Sequence, residues 1–537
     1  MPYAHKTSQP TKDALRRGDL ALAVNGGQNL GPTSATGYYN TISPPVNGYA
    51  IYSLGLNNNP IGMAVTTDDE IIKAANTLGG SVSSKSDALV YLAGRTSTWI
   101  LHSMPNNIVT DELVLALNAG DLSSYPTKGN DFYDLSGENN NGTLTNGPTF
   151  NSNGWIDFDG VNDWCNIPNT NLVPGSVTSL TVGGLWKRNG DGSSYETILH
   201  QSSNTSIGNS AYWFGWTNDN IVCCTIGARN GVGWAAGKTN IPATVGKWFY
   251  TVASWNGSTV SVWVNGILKV TYNLSTYTNP GTVTRLGASG NASGYLANGG
   301  IANIHINPNK AFTTSEMLQN YYQGPIVTDG LVFAMDPGNL VSFENGTTTT
   351  YSLTGSIEGT NINGLGFNSS YGGVFDFDGS DDRIQLGNQP TMVTSDITQE
   401  AWVNGDAFVN WHGIISNMSG WGTGFSLQIG ITQNIAAMVS GDYLKTSWTP
   451  STGVWYHIVA THRSSDNLNV LYVNGVQENT MTRAISYNTN AVTEIGVFYT
   501  GGSLPFNGKM GPLRTYNRAL TSDEVQQNYN AQSSRFK

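Results

Sequence analysis

Ile156-Asp157-Phe158-Asp159-Gly160, running on to Asn162-Asp163-Trp164, returns later in the chain as Phe375-Asp376-Phe377-Asp378-Gly379, followed by Asp381-Asp382-Arg383. Apolar and acidic residues alternate in both copies, a period of two that reads as a strand with one buried face. The Asp-Gly step after each strand supplies a turn, because glycine accepts positive φ and aspartate bonds its own backbone. A strand and turn written twice imply a structural unit written twice.

Working outward from this pair, the repeat extends over most of the chain. Leu113-Val114-Leu115-Ala116-Leu117-Asn118 matches Leu331-Val332-Phe333-Ala334-Met335-Asp336, and Tyr133-Asp134-Leu135-Ser136-Gly137 matches Tyr351-Ser352-Leu353-Thr354-Gly355. Trp186 answers Trp402, Ile198-Leu199 answers Ile414-Ile415, and Trp248-Phe249-Tyr250 answers Trp455-Tyr456-His457. The spacing between copies shrinks toward the C-terminus, so the second copy is shorter in its loops. Val264-Asn265-Gly266 and Val473-Asn474-Gly475 each place Asn-Gly between β-rich runs, the strongest short-range hairpin signal. Thr313-x-x-Glu316 and Thr521-x-x-Glu524 open one short helix at the end of each copy as capping boxes.

These patterns predict a mainly β protein: two tandem antiparallel β-sandwich jelly rolls, each with one short closing helix, after a small mixed α/β segment. The expected division is 1–110, 111–326 and 327–537. In the first segment, Leu20–Val24 and Tyr49–Leu54 read as strands and Gly26–Gly48 as a loop. Thr67-Asp68-Asp69-Glu70 reads as a helix start, Ser86–Leu92 as a second amphipathic run, and Pro105-Asn106-Asn107 as the linker.

The ordered motifs of each copy resemble the laminin-G-like, concanavalin A-like jelly-roll family, over about four-fifths of the chain. That resemblance implies a lectin-like sandwich and no particular activity, since lectins, glucanases and adhesion modules share it. The Asn/Gly-rich run Asn139–Pro148, with Thr36-Gly37-Tyr38-Tyr39-Asn40 and the junction Asn106–Asp111, is also similar to structural proteins of tailed marine phages and cyanophages. This second resemblance implies a virion location as a fibre, tail-associated or capsid-surface protein. Its partners would be other virion proteins, met through the N-terminal segment, and host-surface glycans. It also implies an oligomer within the particle.

Composition bounds the function classes. Charged residues are 11% of the chain, against ~25% in an ordinary soluble protein, and the 64 glycines suit many tight turns. A net charge of −11 argues against nucleic acid, whose phosphates need clustered Lys and Arg. No window holds ~18 apolar residues, so no membrane insertion is expected. The start of the chain, with His5, Lys6, Lys12, Arg16 and Arg17, lacks the apolar core of a signal peptide. Cys165, Cys223 and Cys224 are odd in number and lack metal-site spacing, which predicts free buried thiols made in a reducing cytoplasm.

Catalysis is not expected. Retaining glucanases need two carboxyls about 5 Å apart, which the family supplies as Glu-x-Asp-x-Glu on one strand. Here Asp157/Asp159 and Asp376/Asp378 have the alternation without glutamate, and glycine follows at once. The alternatives kept are a carbohydrate-active enzyme with a degenerate motif and a purely structural spacer. Asp159, Asn162 and Asp163, with Asp378, Asp381 and Asp382, are oxygen-rich turns of the kind calcium favours, but turn formation accounts for them and no metal or cofactor is assigned. Glycan rings stack on exposed aromatic faces. Phe214 and Trp216 share one strand face and Trp213 takes the other. Trp234, after Gly231 and Gly233, and Trp421, between Gly420 and Gly422, are the candidate glycan-facing residues.

Overall fold

The computed structural model describes residues 108–121, 123–168, 172–190, 195–202, 210–278, 284–290, 294–355, 357–418, 423–486, 492–498 and 504–536. It also gives the backbone of four N-terminal strands, Pro2–Ala4, Tyr49–Leu54, Pro60–Val65 and Thr98–Ser103. Tyr49–Leu54 is thus a strand as expected, hydrogen-bonded to Pro60–Val65 and to Thr98–Ser103. The strand expected at Leu20–Val24, the loop at Gly26–Gly48, the helices after Thr67 and Ser86, the linker at Pro105 and the candidate Trp421 lie outside the described residues. The chain divides into two compact units, Met1–Met317 and Leu318–Lys537.

The first unit contains a sandwich of two antiparallel sheets. One runs Lys238–Pro242, Ile221–Ile226, Tyr212–Trp216, Glu196–Gln201, Thr284–Leu286, Trp164–Ile167, Gly142–Thr145, Asp131–Phe132. The other runs Ile267–Asn273, Thr259–Val264, Trp248–Trp255, Leu180–Arg188, Asn298–Pro308, Trp155–Asp159, Thr149–Asn151, with Leu115–Asn118 added on Asn298–Pro308. The second unit repeats both strand orders without exception, from Asp442–Lys445 to Thr349–Tyr351 in one sheet and from Val476–Thr482 to Gly366–Asn368 in the other. The inner faces form one apolar core per sandwich. The cysteines behave as read: Cys224 points into the core, its neighbour Cys223 to the opposite face, and all three are free and buried.

The repeated motifs have local physical causes. Gly160 and Gly379 sit at φ 75 and 76, and a Cβ there would come within 2.9 and 2.7 Å of Asn298 and Asn507 Cβ. Only glycine allows both the turn and that approach. Behind the glycine, Asp159 N donates to Asp163 Oδ2 and Asp378 N to Asp382 Oδ2, at 3.1 and 3.0 Å. The Tyr-x-Leu motif holds the lead strand: Ala116 N donates to Asp134 Oδ1 at 2.8 Å, and Ala334 N to Ser352 Oγ at 3.0 Å. Each Asn-Gly pair is a type I′ turn, with φ 48 and 79 at Asn265 and Gly266 and 52 and 82 at Asn474 and Gly475. The asparagines do more than turn, since Asn265 Oδ1 accepts from Tyr250 N and Asn474 Oδ1 from His457 N.

Two helices close the copies, α1 (Thr314–Tyr321) and α2 (Ser522–Gln532). Thr521 and Glu524 form the expected capping box, and Thr313 and Glu316 exchange the same reciprocal bonds. The last residues of α1 belong to the second unit, within which Tyr321 donates to Leu353 O at 3.0 Å and Asn339 donates to Tyr321 O at 2.8 Å. Beneath α2 lies a buried polar network. Arg514 is hydrogen-bonded to Glu400 Oε1, His457 Nε2 lies 3.1 Å from that oxygen, and Asn528 of the helix donates to Glu400 Oε2 at 2.6 Å. Burial works to raise the Glu400 carboxyl, but the Arg514 charge and these contacts hold it at about 2.

Among the described residues no helix is long and apolar enough to cross a membrane.

Asn474→Pro should destabilise the second sandwich by about 3 kcal/mol or more, because proline cannot take φ 52 and loses the N–H that Asn474 donates to His457 O. An unchanged second melting transition would remove the turn from its proposed role. Glu400→Gln should cost about 3–5 kcal/mol at neutral pH, the usual consequence of leaving one partner of a buried ion pair unanswered. Since the folded pKa is depressed, the wild-type advantage is full above the unfolded value near 4.5 and is lost as pH falls toward about 2. Melting curves of the two proteins should therefore converge across that window, and a constant gap would contradict the ionised Glu400.

Candidate functional site

Strand alternation sends every second residue of a sandwich sheet away from the core. On Tyr212–Trp216, Phe214 and Trp216 enter the core, and Trp213 lies on the opposite face. Trp213 is nevertheless fully buried, with its Nε1 donating to Thr197 Oγ1 at 2.9 Å. What covers it is a group of half-buried rings, Tyr195, Trp234 and Tyr295. Tyr195 is the hub: its ring centroid is 4.9 Å from Trp234, 5.9 Å from Tyr295 and 6.5 Å from Trp213, each nearly edge-on. Edge-to-face packing of this kind holds the rings while leaving parts of their faces to solvent.

The backbone under Trp234 is built to hold it there. Gly231 and Gly233 adopt φ 90 and 76, turning the chain into a short 3-10 helix, Trp234–Gly237. Thr225 Oγ1, from the neighbouring strand, donates to Trp234 O at 2.5 Å and accepts from Gly237 N at 3.2 Å. The flanking glycines were the signal that marked Trp234 in the sequence. Tyr195 and Tyr295 also follow glycines, Gly192 and Gly294, but that they meet Trp234 is decided only in space. Tyr295 holds φ 53, an unusual value for a bulky residue, and its carbonyl accepts from Thr197 N at 2.8 Å.

The other candidates resolve into structural roles. Asp157 accepts from Trp155 Nε1 and Asn189 Nδ2, at 3.0 and 2.7 Å. Asp159 caps its own turn, accepting from Val161 N at 2.8 Å and Asn162 N at 3.2 Å. Asp378, Asp381 and Asp382 bring carboxylate oxygens within 4.8 Å of one another, the single such acidic group among the described residues. Asp378 Oδ1 and Asp382 Oδ2 are both engaged by backbone N–H groups of that turn. Burial, reinforced by the Asp378 and Asp381 charges, raises the Asp382 carboxyl. In the second sandwich Trp448 donates to Glu478 Oε2 at 2.9 Å and packs on Tyr456, with centroids 5.8 Å apart.

Residues 378–526 match the family model described as the concanavalin A-like lectin/glucanases superfamily. That span covers most of the second sandwich, and the first repeats its strand order. No curated protein matches the chain. Among solved structures the chain is similar to domain 4 of an extracellular arabinanase from Geobacillus stearothermophilus, in complex with arabinotriose. That likeness has 18% identity and a TM-score of 0.31 and covers 37% of this chain and 98% of that one. It is also similar to Trypanosoma rangeli sialidase in complex with sialic acid, at 10% identity and TM-score 0.31, over 70% of this chain and 60% of that one. A third likeness is to an SAP-like pentraxin from Limulus polyphemus, at 17% identity and TM-score 0.20, covering 25% of this chain and 69% of that one. At these scores and identities the three likenesses carry no argument about activity.

Trp213→Ala should cost about 3–5 kcal/mol, the range for emptying a buried tryptophan site. Trp234→Ala should cost about 1–2 kcal/mol, because its ring is only partly buried. Urea unfolding of both variants tests the difference; equal losses would make Trp234 a structural lid and not a ligand-facing ring.

Proposed function

We propose that this chain acts without catalysis, presenting two sandwiches of the concanavalin A-like lectin/glucanase type for surface adhesion, as a component of a phage virion. The observation that carries the adhesive part is the Tyr195–Trp234–Tyr295 group standing on buried Trp213. It is a rigid aromatic platform on a sheet face that the core does not need. Sugar rings present C–H faces that such platforms hold, with neighbouring polar groups setting orientation. The virion part rests on the resemblance of Asn139–Pro148 and the N-terminal stretches to structural proteins of marine phages. In this reading the basic stretch from His5 to Arg17 meets an acidic neighbouring subunit, a pairing that suits a chain acidic elsewhere.

Glycan arrays with wild type and Trp234→Ala test adhesion: the wild type should retain a set of glycans that the variant loses. Release of reducing ends from any retained polysaccharide would favour the enzymatic alternative, and a blank array the spacer. Mass spectrometry of purified virions tests location, and deletion of residues 1–110 should sharply lower the copy number per particle. Undiminished incorporation would transfer docking to the sandwiches.

A further inference from the structure

One row of side chains crosses the outer face of the sheet that carries Trp213. Asn166 stands opposite Arg285, Arg285 opposite His200, and His200 opposite Trp213. Their strand neighbours Cys165, Leu286 and Leu199 belong to the core, so alternation puts this row on the other face. Arg285 is half-buried, and its Nε and Nη1 are shielded from solvent without a hydrogen-bond partner. No carboxylate among the described residues pairs with it. Asn166 Oδ1 is also buried without a partner, as is Nδ1 of fully buried His200, whose Nε2 lies 2.9 Å from Ser210 Oγ. Three adjacent residues with unmet polar atoms, one of them a cation, are costly to a fold unless something else meets them.

In the second sandwich the same row also holds a buried atom without a hydrogen-bond partner, Ser426 Oγ, but its charge differs. The register equivalents of Asn166, Arg285, His200 and Trp213 are Gln385, Glu494, Ser416 and Ser426. The charge is reversed there, and it is answered. Arg383 Nε lies 3.5 Å from Glu494 Oε1, and Gln385 donates to that oxygen at 3.4 Å. At the position of Arg383 the first sandwich has Trp164, half-buried and on the same face as Asn166. A charged partner in one copy is an aromatic ring in the other, and no described carboxylate matches the charge beside it.

We infer that Arg285, the partly exposed charge of this row, binds the singly charged group of an acidic saccharide, a uronic carboxylate or a sulfate ester, with the sugar ring against Trp164. The inference rests on the reading of this face as glycan-binding and names the ligand class. A guanidinium meets either anion through paired N–H donors, and a carboxylate or sulfate ester accepts them with two oxygens. Burial first, then the Arg285 charge, pushes His200 down to about 3. The ring is therefore neutral and leaves Arg285 as the charge of this row. One net positive charge suits one negative charge.

Calorimetric titration of the full chain tests this with three probes at equal ionic strength: an oligogalacturonate, a sulfated galactan oligosaccharide and a neutral galactan oligosaccharide. One acidic probe should bind about ten- to a hundred-fold tighter than the neutral one, the range for a charge-assisted bond, and the two acidic arms identify the group. Arg285→Gln should erase that preference and keep neutral binding, while Arg285→Lys keeps part of it. Because Arg285 has no acidic partner among the described residues, Arg285→Gln should melt no lower than wild type; a large drop would assign the residue to the fold and overturn the site. Equal affinity for acidic and neutral probes, or a preference that survives Arg285→Gln, overturns the anion site and leaves the glycan reading standing. Wild type that binds none of the three overturns both.

Discussion

Each sandwich depends on one long-range strand pair. Leu180–Arg188 lies between Trp248–Trp255 and Asn298–Pro308, and Ile397–Ala407 lies between Trp455–Arg463 and Asn507–Tyr516. The second partner in each case comes from the end of its copy, so a strand at mid-copy waits for the last strand before its sheet has a centre. Thr181 and Thr398 lock the arrangement, their hydroxyls donating to Lys310 O and Arg518 O just beyond the final strands. The lead strands then add to the same final strands from the far side. Closure entropy opposes such pairing until late in folding, when the apolar core offsets it.

Once that frame exists, the outer faces can diverge, because the core constrains only alternate positions. Opposite Gly183, whose Cβ would lie 2.5 Å from His305 Nε2, the first sandwich places His305 beside Tyr250, with oxygen and nitrogen 3.2 Å apart. Burial holds that histidine down to about 4, so the pair is neutral. At the same three positions the second sandwich has Glu400, Arg514 and His457, an ionised network closed by Asn528 and Gln532 of α2. The other sheet shows a second substitution of this kind, with Arg285 in one copy and Glu494 in the other. One backbone thus carries two unrelated sets of buried chemistry. A neutral pair avoids the desolvation of charge, while an ionised network tolerates it only when its charges are mutually answered.

The repeat, the strand alternation, the Asn-Gly turns and the capping boxes were legible in the chain, since each depends on residues within a few positions of one another. They were sufficient for two β-sandwiches with closing helices, and the free thiols on opposite faces followed from the same alternation. Trp234 was legible as a turn-borne aromatic because it follows Gly231 and Gly233. Tertiary structure alone decided what stands around it: Tyr195 and Tyr295 arrive from other parts of the chain to cover Trp213. It also decided that Glu494 meets Arg383 while Arg285 meets no acidic partner among the described residues, since such pairings cross strands distant in sequence. Local patterns specify which face a residue takes, because the pleat has a period of two. Which residues share that face is set by strand order and register, which exist only after distant segments have paired.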